Sequence, residues 1–304
     1  MRSFRSYFFE KAIKLSVSRA ARKGVRSKEM DEQRELLDAA AKKIVKLPNN
    51  CLLIPSEIGG IYVEWLVPKR SMEDKVILYL HGGGYALCSA NTHRPLAARI
   101  GDAAGVKVLF PEYRLAPEHP FPAAIEDAVQ VYRWLLSKGY DSSNIVLAGD
   151  SAGGGLCLAV TLVLRDENEP LPAGIVCLSP WVDLTSSGES YRKNNELDPY
   201  LNRKLVRDAA RMYAGKEALD HPLISPVYAD LFGLPPLFIQ VGNHEVLQSD
   251  AELLAVKARI AGVETSIKVW EGMWHVWQIS GDFLPEARQA TREIGQFIRK
   301  TLKK

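Results

Sequence analysis

The chain has 304 residues, 47% of them apolar and 25% charged. Those proportions exclude a disordered, collagen-like or disulfide-stapled polypeptide and leave one large domain or two small ones. Lys and Arg number 39 against 36 Asp and Glu, a net charge of +3, too small to make a polyanion such as a nucleic acid the expected partner.

The charge is unevenly placed: residues 1–30 carry nine basic and two acidic side chains, the rest thirty and thirty-four. Phe4, Phe8, Ile13, Leu15 and Ala20 fall on one side of a helical wheel, with Arg2, Lys11, Lys14, Arg22 and Lys23 largely elsewhere, the pattern of a basic amphipathic helix. Glu10, Lys11 and Lys14 interrupt any secretory apolar stretch. No run reaches the roughly 18–20 apolar residues of a membrane span, so no stable membrane insertion is expected. Composition alone leaves a transit peptide open. A second helical pattern, through Met30, Leu36, Leu37, Ala40, Ala41, Ile44 and Val45, should stop at Pro48-Asn49-Asn50. Neither helix has apolar partners enough for its own core, so both should lie on the rest of the protein.

From residue 51 the period changes to short β-branched runs between turn residues. Eight strands are expected, at 51–55, 61–67, 76–80, 106–110, 145–148, 175–178, 237–241 and 266–269. From residue 76 they alternate with helices at 92–104, 123–137, 152–165, 250–260 and 285–301. Such alternation implies an α/β fold, a mostly parallel sheet with helices on both faces, because parallel neighbours need crossovers. The first two strands, joined at Gly59-Gly60, should pair antiparallel. Residues 186–225, with a helical segment at 201–213, are too long for a plain connection and read as a lid. The four cysteines, Cys51, Cys88, Cys157 and Cys177, are widely spaced with no CxxC pair. They read as buried reduced thiols, which suits a cytoplasmic location.

Residues 145–154 read IVLAGDSAGG: an apolar strand, a G-x-S-x-G turn, then a helix. That context favours a nucleophile elbow presenting Ser151 over a Gly-rich turn in which Ser151 merely caps the helix. His81-Gly82-Gly83-Gly84-Tyr85 follows the strand at 76–80. Its bare backbone can aim amides at a developing oxyanion, together with the N–H of Ala152. A phosphate loop does not fit, since no GK[ST] follows. His81 reads as a structural hydrogen-bonder.

A serine hydroxyl needs an adjacent base, and the base an acid to orient it. Of six histidines, His275 sits between the last strand and the last helix, at the same sheet edge as Ser151. His93, His119 and His221 are less well placed, and His244 is the runner-up. Glu245 follows the strand at 237–241. Asp250, the rival acid, suits a helix N-terminus instead. The order Ser151, Glu245, His275 is that of an α/β-hydrolase.

HGGGY, PEYRLAPEHPFPAA, GDSAGG, SPWVDL, LPPLFIQVGNHEVL and GMWHVW, in this order, resemble the hormone-sensitive-lipase-like carboxylesterases of the α/β-hydrolase superfamily, the bacterial branch with a GDSAG elbow, over residues 60–300. The resemblance implies Ser151 as nucleophile, His275 as base, Glu245 as acid, and an oxyanion hole from Gly83, Gly84 and Ala152, with Gly82 a further candidate. It also implies an N-terminal helical cap at 1–50 on a catalytic domain at 51–304, and a homodimer through the last strand or helix. Many relatives have Asp where this chain has Glu245, which keeps Asp250 in contention. Asp183 and the stretch 114–118 read as structural. The expected activity is hydrolysis of a small-molecule ester with short to medium acyl chains through an acyl-enzyme, with no metal or organic cofactor. Tyr85, Leu87, Trp181, Met273, Trp274 and Trp277, with Phe4, Phe8 and Phe9 of the cap, should wall an apolar pocket. A lactonase or small-metabolite deacetylase, a binding-only relative, and a lipase anchored at membranes by its basic N-terminus are the alternatives.

Overall fold

A computed structural model describes residues 3–8, 10–11, 30–44 and 46–303. The eight strands are β1 (Cys51–Ile58), β2 (Ile61–Pro68), β3 (Met72–Leu80), β4 (Val106–Pro111), β5 (Ile145–Asp150), β6 (Gly174–Leu178), β7 (Leu237–Gly242) and β8 (Thr265–Trp270). They form one sheet in the order β1-β2-β4-β3-β5-β6-β7-β8. β2 pairs antiparallel with both β1 and β4, and the other neighbours are parallel.

The main helices are α1 (Met30–Ile44), α2 (Ala90–Ala104), α3 (Ala123–Ser137), α4 (Ala152–Asp166), α5 (Arg203–Ala214), α6 (Gln248–Ile260) and α7 (Pro285–Thr301). The pleat sends successive residues of a strand to opposite faces. Val76, Leu78, Leu80, Ile145, Leu147, Ile175 and Cys177 therefore pack with side chains of α3, α4 and α6. Ile77, Tyr79, Val146, Ala148, Val176 and Leu178 pack with α2 and α7 on the other side. Strands covered on both faces read as unbroken apolar runs, which is why β5 and β6 are legible without alternation.

Two features differ from expectation. β3 starts at Met72, four residues early, and its register against β4 shifts between Met72 and Val76, so the charged Glu73-Asp74-Lys75 sits in an irregularity that composition disguises. The helical stretch at residues 4–8 turns Ser6 and Glu10 inward, while Phe4 is 78% and Phe8 54% exposed. The cause is polar docking: Ser3 donates from N (2.5 Å) and Oγ (3.0 Å) to the carboxylate of Glu286 at the start of α7. Arg2, Phe9, Ile13, Lys14, Leu15, Ala20, Arg22, Lys23 and Val45 lie outside the described residues.

The carboxyl ends of β3, β5, β6 and β7 meet at one edge, where open α/β sheets place their ligands. Close approach there dictates glycine. A Cβ on Gly153 would stand 1.9 Å from the carbonyl oxygen of Leu80, and one on Gly149 2.4 Å from that of Gly153. Gly153→Ala should therefore cost about 3 kcal/mol or more, read as a lower urea midpoint at unchanged slope. An unaltered midpoint would mean that α4 does not press on β3.

Candidate active site

Ser151 joins β5 to α4 with φ 53° and ψ −121°, a conformation a non-glycine residue holds only when its surroundings impose it. Those surroundings are hydrogen bonds to the end of β6: Ser151 N to Leu178 O (2.8 Å) and Trp181 N to Ser151 O (2.9 Å). Asp150, just before it, accepts from Tyr79 Oη (2.7 Å) and pairs with His93 Nε2 (3.1 Å). Burial pushes the Asp150 carboxyl up, and the charge and hydrogen bond of His93 with the bond from Tyr79 outweigh it, holding the group below the usual carboxylate range. His93 thus anchors the elbow from behind.

Glu245 is fully buried. Its Oε1 accepts from Gly242 N (2.5 Å) and Ser179 Oγ (2.9 Å), and its Oε2 lies 2.9 Å from His275 Nδ1. The longer side chain thus folds back under its own loop to face the imidazole. The loops carrying Glu245 and His275 are laced together by Asn243 N to Trp270 O (3.1 Å) and His244 N to Met273 O (3.0 Å). A Cβ at Gly242 would stand 2.1 Å from Met273 O, so only glycine permits this approach. Ser179 Oγ also accepts from Val276 N (3.2 Å), tying the carboxylate to the residue after His275.

Burial pushes the His275 imidazole down, and the bond to Glu245 with the charges of Glu245 and Asp198 more than reverses this, leaving it above the ordinary histidine value. Among the described residues no hydrogen bond joins Ser151 Oγ to His275, a bond that is often long before substrate arrives. Both neighbour the end of β6: Ser151 N donates to Leu178 O (2.8 Å) and Val276 N, directly after His275, donates to Ser179 Oγ (3.2 Å).

Gly83 and Gly84 adopt φ +115° and +64°, and among the described residues neither donates its backbone N–H to a protein acceptor. Ala152 opens α4, where an N–H lacks a carbonyl one turn back. Gly82 lies against Asp150, where a Cβ would stand 2.2 Å from Oδ2. His81 Nδ1 lies 2.7 Å from Gly82 O. Its ring stacks on Tyr113 and Phe110, and burial drives its pKa down to about 4.

The rivals lie elsewhere. Asp250 Oδ2 accepts from Val182 N (3.1 Å), Asp183 N (2.9 Å) and Tyr191 Oη (3.1 Å), shaping the loop after β6. Asp183 closes its own turn on Thr185 and Ser187. Arg114 pairs with Asp127. His244 Nδ1 stands 3.8 Å from Glu10. His221 Nδ1 accepts from Leu223 N (3.2 Å).

Beyond position 50, the residues expected to wall the pocket are buried apart from Leu87. Met273, Trp274 and Trp277 are fully buried in a cluster with Trp270, Leu284, Ala287 and Ala290, where they hold the His275 loop against α7. Tyr85 stacks on Tyr213 of α5 at 3.6 Å and neighbours Trp181. Both are buried and Leu87 is half-buried. A cavity of about 910 Å³ lies beside α5, lined by Asp198, Tyr200, Leu201, Leu205 and several arginines among others.

Asp198, which the sequence reading missed, is buried in that wall. It accepts from Tyr200 N (2.9 Å), Leu201 N (2.9 Å) and Val246 N (3.0 Å), coupling the 186–225 insertion to the residue after Glu245. Burial raises its pKa to about 6. Because a base must be neutral to act, the acid limb of kcat/KM should have its midpoint above about 6.5. Asp198→Asn removes a negative charge that favours the imidazolium, so it should move that midpoint down. A pH profile left in place by the substitution would exclude this coupling.

A serine at a strand-turn-helix elbow, with a buried carboxylate-imidazole pair delivered by the next strand ends, is the arrangement of an α/β-hydrolase. The family model of the alpha/beta hydrolase fold matches residues 77–279. An acetyl-hydrolase of Streptomyces hygroscopicus is 46% identical over 242 residues, covering 80% of this chain and 81% of that protein. Among solved structures, an esterase from the bacterial hormone-sensitive lipase family superposes with a TM-score of 0.93 at 43% identity, covering 99% of both chains. The esterase EstE5, in crystals soaked with p-nitrophenyl butyrate, gives 0.90 at 35% identity, covering 99% of this chain and all of that one. The chain belongs to the α/β-hydrolase family, in its hormone-sensitive-lipase-like esterase branch.

Proposed function

We propose that this protein is a serine carboxylesterase acting on short to medium acyl chains, with Ser151 as nucleophile, His275 as general base and acid, and Glu245 as the group that orients His275. The observation that carries the reading is the 2.9 Å pair of Glu245 and His275 at the sheet edge that holds the strained Ser151. His275 accepts the proton of Ser151 Oγ as the oxygen attacks the ester carbonyl. The amides of Gly83, Gly84 and Ala152 stabilise the oxyanion, and His275 passes its proton to the leaving alcohol. Water then enters by the same route and frees the acid. Glu245 keeps the Nδ1 proton facing itself, so that Nε2 is the free base. Residues 1–50 serve as a cap and 51–304 as the catalytic domain. Four free cysteines support a cytoplasmic location, and no helix among the described residues is long and apolar enough to cross a membrane.

Acyl-chain length follows from kinship. The kinship to an acetyl-hydrolase and to an esterase soaked with a butyrate ester favours small acyl groups. A panel of p-nitrophenyl acetate, butyrate, octanoate and palmitate, run beside a lactone and an anilide, tests this. The expected order has kcat/KM for butyrate exceeding that for palmitate by at least tenfold. A preference for palmitate, or for the lactone or anilide over every ester, would replace the assignment.

A further inference from the structure

Helix α1 reaches the oxyanion loop through two side chains one turn apart on the same face. Arg34, with only 21% of its side chain exposed, donates from Nε to Ala86 O (2.9 Å) and from Nη2 to Ala116 O (2.7 Å), and Nη2 also meets Glu118 (2.7 Å). Ala86 belongs to the turn that begins at the oxyanion glycines, closed by Ala86 N (3.2 Å) and Leu87 N (2.9 Å) on Gly83 O. Ala116 N in turn donates to Tyr85 O (2.8 Å). The guanidinium therefore bridges the two strands of chain that hold Tyr85, directly after Gly84.

Asp38 grips the far end of the same loop. It accepts from Ser89 Oγ (2.6 Å) and Asn91 Nδ2 (2.7 Å). Ser89 is the N-cap of α2, accepting from Asn91 N (3.1 Å) and bonded through its own N to Thr92 Oγ1 (3.0 Å). Thr92 Oγ1 meets His93 Nδ1 at 2.7 Å, and His93 holds Asp150, the neighbour of Ser151. One end of this relay is thus α1 and the other is the nucleophile elbow. A segment that only covered a pocket would need apolar contact. This one instead satisfies two backbone carbonyls and a helix cap beside the reacting groups.

We propose that Arg34 and Asp38 are positioning residues for catalysis: α1 sets the placement of the Gly83 and Gly84 amides and of the elbow behind Ser151. The inference rests on the esterase reading. Oxyanion donors act only when aimed at the site where charge develops, and losing one costs on the order of a hundred- to a thousandfold, so loosening their loop should appear in kcat and not in KM.

The experiment compares full-length wild type, Arg34→Ala, Arg34→Lys and Asp38→Asn. It measures kcat and KM for p-nitrophenyl butyrate, the inhibition constant of an alkyl trifluoromethyl ketone, and the thermal midpoint. The ketone adds Ser151 Oγ to its carbonyl carbon, moves the hydroxyl proton to His275 and leaves an oxyanion in the hole, so its affinity reports the hole directly. Arg34→Ala should lower kcat roughly ten- to a hundredfold with KM within about twofold, and weaken the ketone by a matching factor. Arg34→Lys, which can satisfy one carbonyl but not bridge two, should recover part of both, and Asp38→Asn should fall between. Should Arg34→Ala fail to fold, Arg34→Lys and Asp38→Asn decide, each with a several-fold loss in kcat and ketone affinity. Folded variants with wild-type kcat and ketone affinity, whatever their thermal midpoint, overturn the proposal, as does a change confined to KM. A wild type inert on every ester and untouched by the ketone would instead remove the esterase reading beneath it.

Discussion

Ser151→Ala should lower kcat on the order of a millionfold while leaving the fold intact. The size follows from the reaction: without Oγ there is no acyl-enzyme, and deleting a nucleophile costs about as much as deleting the whole catalytic set. The integrity follows from the backbone. Alanine keeps the Cβ that makes φ 53° unfavourable, and the two bonds pinning the turn, Ser151 N to Leu178 O and Trp181 N to Ser151 O, come from the main chain. Circular dichroism and the thermal midpoint should match wild type. Ser151→Gly should even stabilise the protein by relieving strain of about 1–3 kcal/mol, less the added backbone entropy of glycine. A Ser151→Ala protein that keeps a tenth of wild-type esterase activity would end the assignment of this residue.

Glu245→Gln should lower kcat about ten-thousandfold, the loss expected when the orienting acid becomes an amide. The carboxylate accepts on both oxygens, from Gly242 N and Ser179 on one and from His275 on the other. A glutamine has one acceptor and one donor end. If its oxygen faces Gly242, its NH2 faces Nδ1 and drives the proton to Nε2, where the base is needed. If the oxygen faces His275, the NH2 meets the Gly242 N–H. Either orientation sets donor against donor or selects the wrong tautomer. Asp250→Asn is the paired control, since its contacts are with the loop after β6 and with Tyr191. It should lower the urea midpoint and spare most of kcat. The reverse outcome, with activity lost in Asp250→Asn and kept in Glu245→Gln, would transfer the acid's role.

Ser151, His275 and Glu245 were legible because each sits in a local pattern: a glycine-flanked turn after an apolar strand, or a loop after a strand of the same parallel set. The supports around them were not. Ser179 opens SPWVDL, yet nothing local marks its hydroxyl as shared between Glu245 Oε1 and Val276 N. Asp198 reads as an ordinary acid before proline. His93 looks like any residue in the first turn of a helix, and only the fold brings it to Asp150, 57 positions on. The surroundings of the tryptophans were not legible for a related reason. Trp274 and Trp277 flank His275 in sequence, but the turn at Val276, with φ 48°, directs them into the layer under α7. Adjacency along a chain says little about which side of a loop a ring occupies.

The succession of strands along the chain, the burial of the central ones on both faces, and the class of chemistry follow from periodicity and from the spacing of glycine, serine, histidine and glutamate, because backbone geometry and side-chain reactivity are local properties. The partners that bury Glu245 and Asp250 and the attachment of α1 to the glycine loop after β3 depend on groups 30 to 84 positions apart meeting at hydrogen-bond distance. Such meetings are set by the packing of helices on the sheet. A pattern within a dozen residues carries no trace of them.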